Sequence, residues 1–285
     1  SIVALVILYF FVWLGTKYPL SLDVFGMTNN MQNQIWIIFL FLYSGIVSLL
    51  PVWFLLQPRD YINSHQLIVG LALIFLGLFI ANPVVEAPII RLSGGGAPPI
   101  FPFLFVTIAC GAISGFHGLV ASGTTSKQIS SIDHARFIGY GGMLGEGSLA
   151  LASTLAAVAG MGLITVCNLP SVGMVENLSW AVYYDSWAHA TTNKATAFVL
   201  GGGALIEAIG LPGPLAKTLM AVLVISFAAT TLDTATRIQR FIITEIGTTI
   251  SIRLLQNRYI ATILALFPSL ILTMWNVQNT STGEF

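Results

Sequence analysis

Charge is what this chain has least of. Only 8% of its 285 residues are Asp, Glu, Lys or Arg, against roughly 25% in a soluble domain. The eleven basic and eleven acidic residues cancel, so neither nucleic acid nor an acidic partner surface is indicated. Cysteine is nearly absent. Cys110 and Cys167 both lie in apolar runs, which excludes a disulfide framework and a cysteine metal cluster. Histidine is also scarce, and His134 and His189 have no ligand-spaced partner. The opening "SIVALVILYFFVWLG" has neither Met nor a charged n-region, so it is not read as a signal peptide. It reads as a span already under way, and the expectation is a fragment of a longer protein. What the chain does have is apolar length: 56% of its residues are hydrophobic and the mean hydropathy is +0.87. The fold class expected is an all-α integral membrane protein, a multi-span helical bundle.

A bilayer core of about 30 Å needs about 20 apolar helical residues. On that rule about seven spans are expected, near 1–16, 35–56, 66–82, 101–121, 137–167, 216–236 and 258–275. Pro83, Pro88, Pro98, Pro99 and Pro102 punctuate the connection before the fourth. Segment 195–210 is ambiguous, being moderately apolar but carrying Gly201–Gly203 and Glu207. Counting Lys and Arg on each side divides them seven to four whether or not it crosses. Consistency favours no crossing, which puts every Arg except Arg91 on one face. Residues 168–215 are therefore expected as an external segment with short helices. The stretch "RIQRFIITEIGTTISIRLLQNR" (237–258) is expected as an amphipathic helix in the cytoplasmic interface. All of this is expected to be one membrane domain spanning 1–285, with no internal repeat or low-complexity tract.

Three places could carry chemistry. The first is "CGAISGFHGLVASGTTSK" (110–127), where glycines and His117 interrupt a span. Gly111 and Gly115 form a G-x-x-x-G pair, which allows a close helix contact with His117 merely hydrogen-bonded. The same residues also allow a helix broken near Ser114 and Gly115, exposing backbone to a ligand or ion. The second is Glu146 in "FIGYGGMLGEG", roughly 14 Å into the bilayer by helical rise from Phe137. It is either a hydrogen-bonding partner of a neighbouring helix or a carboxylate that carries a proton or binds a cation. The third is "FAATTLDTATR" (227–237), where Thr230, Thr231, Asp233, Thr234 and Thr236 gather oxygen ligands suited to a hard cation such as Na⁺. Its alternative is threonines bonded to their own helix carbonyls and Asp233 paired with Arg237. Enzyme motifs fail. "GLVASGTT" has Thr124 at the P-loop lysine position, and there is no H-E-x-x-H.

Four blocks carry a resemblance: "LPVWFLLQPRDY" (50–61), "FPFLFVTIACGAISGFHGLVASGTTSK" (101–127), "FIGYGGMLGEG" (137–147) and "TTLDTATRIQRF" (230–241). They resemble signature blocks of the carbon starvation protein A (CstA) family, over most of 36–250 except 168–200. The resemblance implies a bacterial inner-membrane secondary transporter with a LeuT-like inverted-repeat core of the amino acid–polyamine–organocation superfamily. It implies uptake of peptides or of pyruvate during carbon starvation, coupled to H⁺ or Na⁺, with no cofactor and no enzymatic activity. Partners would be that solute and the lipid bilayer. Ser114, Gly115, His117, Ser122 and Thr124 become the expected substrate contacts, and Glu146, Thr230, Thr231, Asp233 and Thr234 the expected ion-coupling residues. A membrane-embedded enzyme using His117, Glu146 and Asp233, and a non-transporting sensor or assembly subunit, are the alternatives.

Overall fold

The computed structural model describes residues 2–18, 29–89, 99–113, 116–123, 125–169, 173–187 and 194–282. Helices dominate: α1 (Ile2–Lys17), α2 (Asn29–Leu49), α3 (Val52–Ala81), α4 (Phe105–Ile113), α5 (Phe116–Gly123) and α6 (Asp133–Val158). After a hairpin of β1 (Val166–Leu169) and β2 (Gly173–Glu176) come α7 (Trp180–Tyr183), α8 (Lys194–Glu207), α9 (Gly213–Thr249), α10 (Arg253–Gln256) and α11 (Arg258–Thr282). Among the described residues, four helical stretches are long and apolar enough to cross a bilayer: Met31–Leu49, Val52–Ala81, Gly213–Thr249 and Arg258–Trp275. Large apolar side chains stand bare on these helices, Phe79 at 80% and Leu272 at 71% exposure. That is the surface of a protein embedded in lipid rather than water.

Several boundaries differ from those the sequence predicts. The loop expected over 57–65 is helical: α2 ends at Leu49, Pro51 marks the break, and Pro58 lies inside α3. Pro51 has no N–H to continue the ladder of α2, and the last carbonyls of that helix find another partner. Arg237 donates from Nη2 to the carbonyls of Val47 and Leu50, at 3.1 and 2.9 Å, as a cation does at a helix C-terminus. The boundary expected near 237 is absent. α9 runs unbroken through it for 37 residues, about 55 Å at 1.5 Å per residue, and ends before Ser251, whose φ is +62°. The basic stretch 237–258 is thus the end of α9 followed by α10, with Arg237 and Arg240 buried against protein. α6 also stops short of the span expected over 137–167, giving way to a tight turn at Gly160–Leu163 and then to β1. The hairpin is antiparallel and pairs Val166 with Glu176 and Leu169 with Gly173.

The chain divides into two compact units. The first comprises 1–16 and 64–224. Its apolar core gathers Ile74, Ala152, Ala156, Leu205, Ile206 and Met220, and a second cluster surrounds Met161, Leu178 and Tyr183. Cys167 is buried there as a free thiol. α6 packs on α8 through glycine: a Cβ on Gly201 would lie 2.0 Å from the Ala156 carbonyl oxygen. No side chain fits between these backbones, the packing that small residues permit in membranes. The second unit comprises 17–63 and 225–285, in which α2 packs on α11. Its interior is largely polar, with Val47, Leu56, Ala261 and Ala265 as apolar exceptions.

Candidate functional site

The polar interior of the second unit is built from helical spacing. Ser226, Thr230, Asp233, Arg237 and Arg240 recur at intervals of four and three along α9, which lines them up on one face. On α3, Arg59 and Asn63 are four residues apart and share a face, as do Ser44 and Ser48 on α2. Asp233, Arg237, Arg240, Asn63, Ser44 and Ser48 are all buried, Asp233 at 1% exposure. In lipid such a stripe must turn inward and find partners, because each charge exposed to hydrocarbon is costly.

The partners are specific. Arg59 Nη1 forms an ion pair with Asp233 Oδ2 and also donates to the Tyr43 hydroxyl at 3.1 Å. One turn along, Asn63 Nδ2 donates to Thr230 Oγ1 at 2.8 Å. Thr230 itself donates to the Ser226 carbonyl at 2.9 Å. Thr236 donates to the Leu232 carbonyl at 2.8 Å, so Ser44, 3.0 Å from the same oxygen, is the donor in that contact. Two unlike charges at 4 Å attract by about 4 kcal/mol at an effective dielectric constant of 20, which makes this pair the strongest electrostatic element of the cluster. The match is incomplete. Arg59 Nε and Nη2 and Asp233 Oδ1 are buried and have no hydrogen-bond partner among the described residues.

The residues singled out in the sequence fall in two places. Thr230, Asp233 and Thr234 lie on α9 in the second unit, with Thr234 buried. Thr231 is exposed and donates to the Phe227 carbonyl at 3.0 Å. Asp233 pairs with Arg59 rather than with Arg237 four residues on. In the first unit, Glu146 lies on the exposed, glycine-rich half of α6, and Ser122 on α5 donates to the Leu119 carbonyl at 3.2 Å. Ser114, Gly115 and Thr124 lie outside the described residues, as does the side chain of His117. Among the described residues no group of three His, Cys, Asp or Glu is placed to hold a metal ion. Sequence reasoning did not single out Arg59, Asn63, Tyr43 or Ser44. The available signal was the four-residue spacing of Arg59 and Asn63 beside the regular polar stripe on α9.

The family profile described as Carbon starvation protein CstA matches residues 1–285. The chain belongs to that family. Among curated CstA-family relatives, the Peptide transporter CstA of Mycobacterium tuberculosis (strain ATCC 25618 / H37Rv) is 35% identical over 237 residues, covering 71% of this chain and 31% of the relative. The Pyruvate/proton symporter BtsT of Escherichia coli (strain K12) is 44% identical over 141 residues, covering 46% of this chain and 19% of the relative. The Peptide transporter CstA of the same strain is 45% identical over 123 residues, covering 40% and 17%. The chain thus spans less than a third of the length of these relatives. No solved structure matches it.

Proposed function

We propose that this CstA-family chain belongs to an ion-coupled secondary transporter that imports a peptide or a small carboxylate such as pyruvate across the bacterial inner membrane during carbon starvation. The observation that carries the reading is the ion pair of buried Asp233 with partly buried Arg59, set among helices apolar enough to cross a bilayer. Buried ionisable pairs in membrane helices mark solute and ion pathways, since a purely structural role can be filled more cheaply by apolar side chains. The names of the relatives, a peptide transporter and a pyruvate/proton symporter, support the same reading. In this proposal Ser114, Gly115, His117, Ser122 and Thr124 contact the solute within a LeuT-like repeat. Glu146 and the Thr230, Thr231, Asp233 and Thr234 stretch couple it to H⁺ or Na⁺.

The test is uptake by proteoliposomes holding the purified chain. Radiolabelled pyruvate and alanyl-alanine are offered under an imposed proton gradient, and then under a sodium gradient. Accumulation of unaltered solute that collapses with an ionophore is expected for one of the two. Chemical conversion of the solute, or no gradient-dependent accumulation of either, overturns the reading.

A further inference from the structure

The unmatched atoms of the Arg59–Asp233 pair have a definite geometry. A guanidinium offers five N–H donors in a rigid plane, arranged so that adjacent nitrogens point two parallel donors at one ligand. Arg59 commits Nη1 to Asp233 and Tyr43. The side-on edge made by Nε and Nη2 is left without a partner among the described residues, although both atoms are buried. That edge is the fork which takes a carboxylate with two parallel hydrogen bonds, a role the single point charge of lysine cannot fill. Asp233 is equally incomplete: Oδ2 faces Arg59, and Oδ1 is a buried acceptor with no donor. Buried charged groups left short of partners are costly, and one ligand bearing both an acceptor pair and a donor would supply both halves.

We infer that Arg59 and Asp233 form a carboxylate-binding site within the second unit, for a solute that also carries a hydrogen-bond donor next to its carboxylate, as at the C-terminus of a peptide. The carboxylate takes the Nε–Nη2 edge of Arg59, and the neighbouring N–H satisfies Asp233 Oδ1. Pyruvate meets only the first demand, because its second carbon bears a carbonyl acceptor. The inference rests on the transport reading for the identity of the ligand as the transported solute; it adds a solute site separate from the contacts proposed on 114–124, and adds solute binding to the coupling role proposed for Asp233. Neither unmatched group faces solvent, so binding is accompanied by a local opening of the pair.

The experiment is equilibrium binding of radiolabelled alanyl-alanine and pyruvate to the purified chain in detergent, with melting curves recorded on the same samples. Wild type is expected to prefer alanyl-alanine. Arg59→Lys, which keeps the charge opposite Asp233 but loses the fork, is expected to weaken alanyl-alanine binding at least tenfold without a matching loss of thermal stability. Alanyl-alaninamide, which lacks the carboxylate, is expected to bind wild type at least tenfold more weakly, and this arm needs no variant to fold. Unchanged affinity in Arg59→Lys, equal affinity for the amide, equal affinity for pyruvate, or no binding by wild type would each overturn the site. Wild-type proteoliposomes that accumulate solute while Arg59→Lys binds normally would leave the transport reading standing. Wild-type proteoliposomes that accumulate nothing would remove that reading too.

Discussion

Asp233 is a carboxylate with one oxygen engaged and 1% of its surface exposed. Its neutralisation therefore leaves Arg59, at 18% exposure only partly reached by solvent, without its counter-charge. Breaking a buried pair from one side typically costs about 3–5 kcal/mol, whereas removing both charges is often nearly neutral. Asp233→Asn and Arg59→Gln are each expected to lower stability by about that amount, and the double variant to recover most of it. Denaturant unfolding of the four proteins in detergent measures the coupling, and simple additivity would mean the two groups do not depend on each other. The sequence revealed one half of this pair. "TTLDTATR" stands out by residue type within an apolar span, but Arg59 lies 174 residues earlier, where no local spacing connects them. Arg59 also follows Pro58 and precedes Asp60, a run that mimics a loop.

At the scale of elements, that run is helical because its polar side chains meet other polar side chains instead of lipid. Asn63 and Arg59 face Thr230 and Asp233, so the charges that appear to end a span are what fix it in place. The same logic continues α9 past Arg237, whose guanidinium finds the last carbonyls of α2. Hydropathy reads what a residue costs in hydrocarbon. It does not read a partner supplied by another helix. Glycine shows a second contrast between elements. Gly201 on α8 meets the Ala156 carbonyl, but Gly147 on α6 has open space where a Cβ would go. Gly201→Ala is expected to lower stability by about 1–3 kcal/mol through overpacking. Gly147→Ala is expected to be neutral or to gain up to about 1 kcal/mol from helix propensity. Melting temperatures of the two variants in one detergent decide it, and equal shifts would contradict the contact.

For the whole molecule, the long apolar runs made membrane helices legible from composition, and the four quoted blocks made the family legible. The two units were not legible, because the helical segments forming each come from distant parts of the chain. Glu146 tests the proposed ion coupling. If it carries the proton, Glu146→Gln is expected to abolish gradient-driven uptake in proteoliposomes while leaving exchange of internal for external solute largely intact. Equal loss of both would assign Glu146 to folding. The Gly201 contact has a mechanical consequence beyond stability. Helices that touch through side chains can slide by exchanging rotamers, but α6 and α8 meet backbone to backbone, and a joint without rotatable bonds has one setting. These two helices are expected to move as a single rigid body. Their amide protons should accordingly exchange with deuterium on one shared timescale, set by the joint coming apart and not by fraying of either helix.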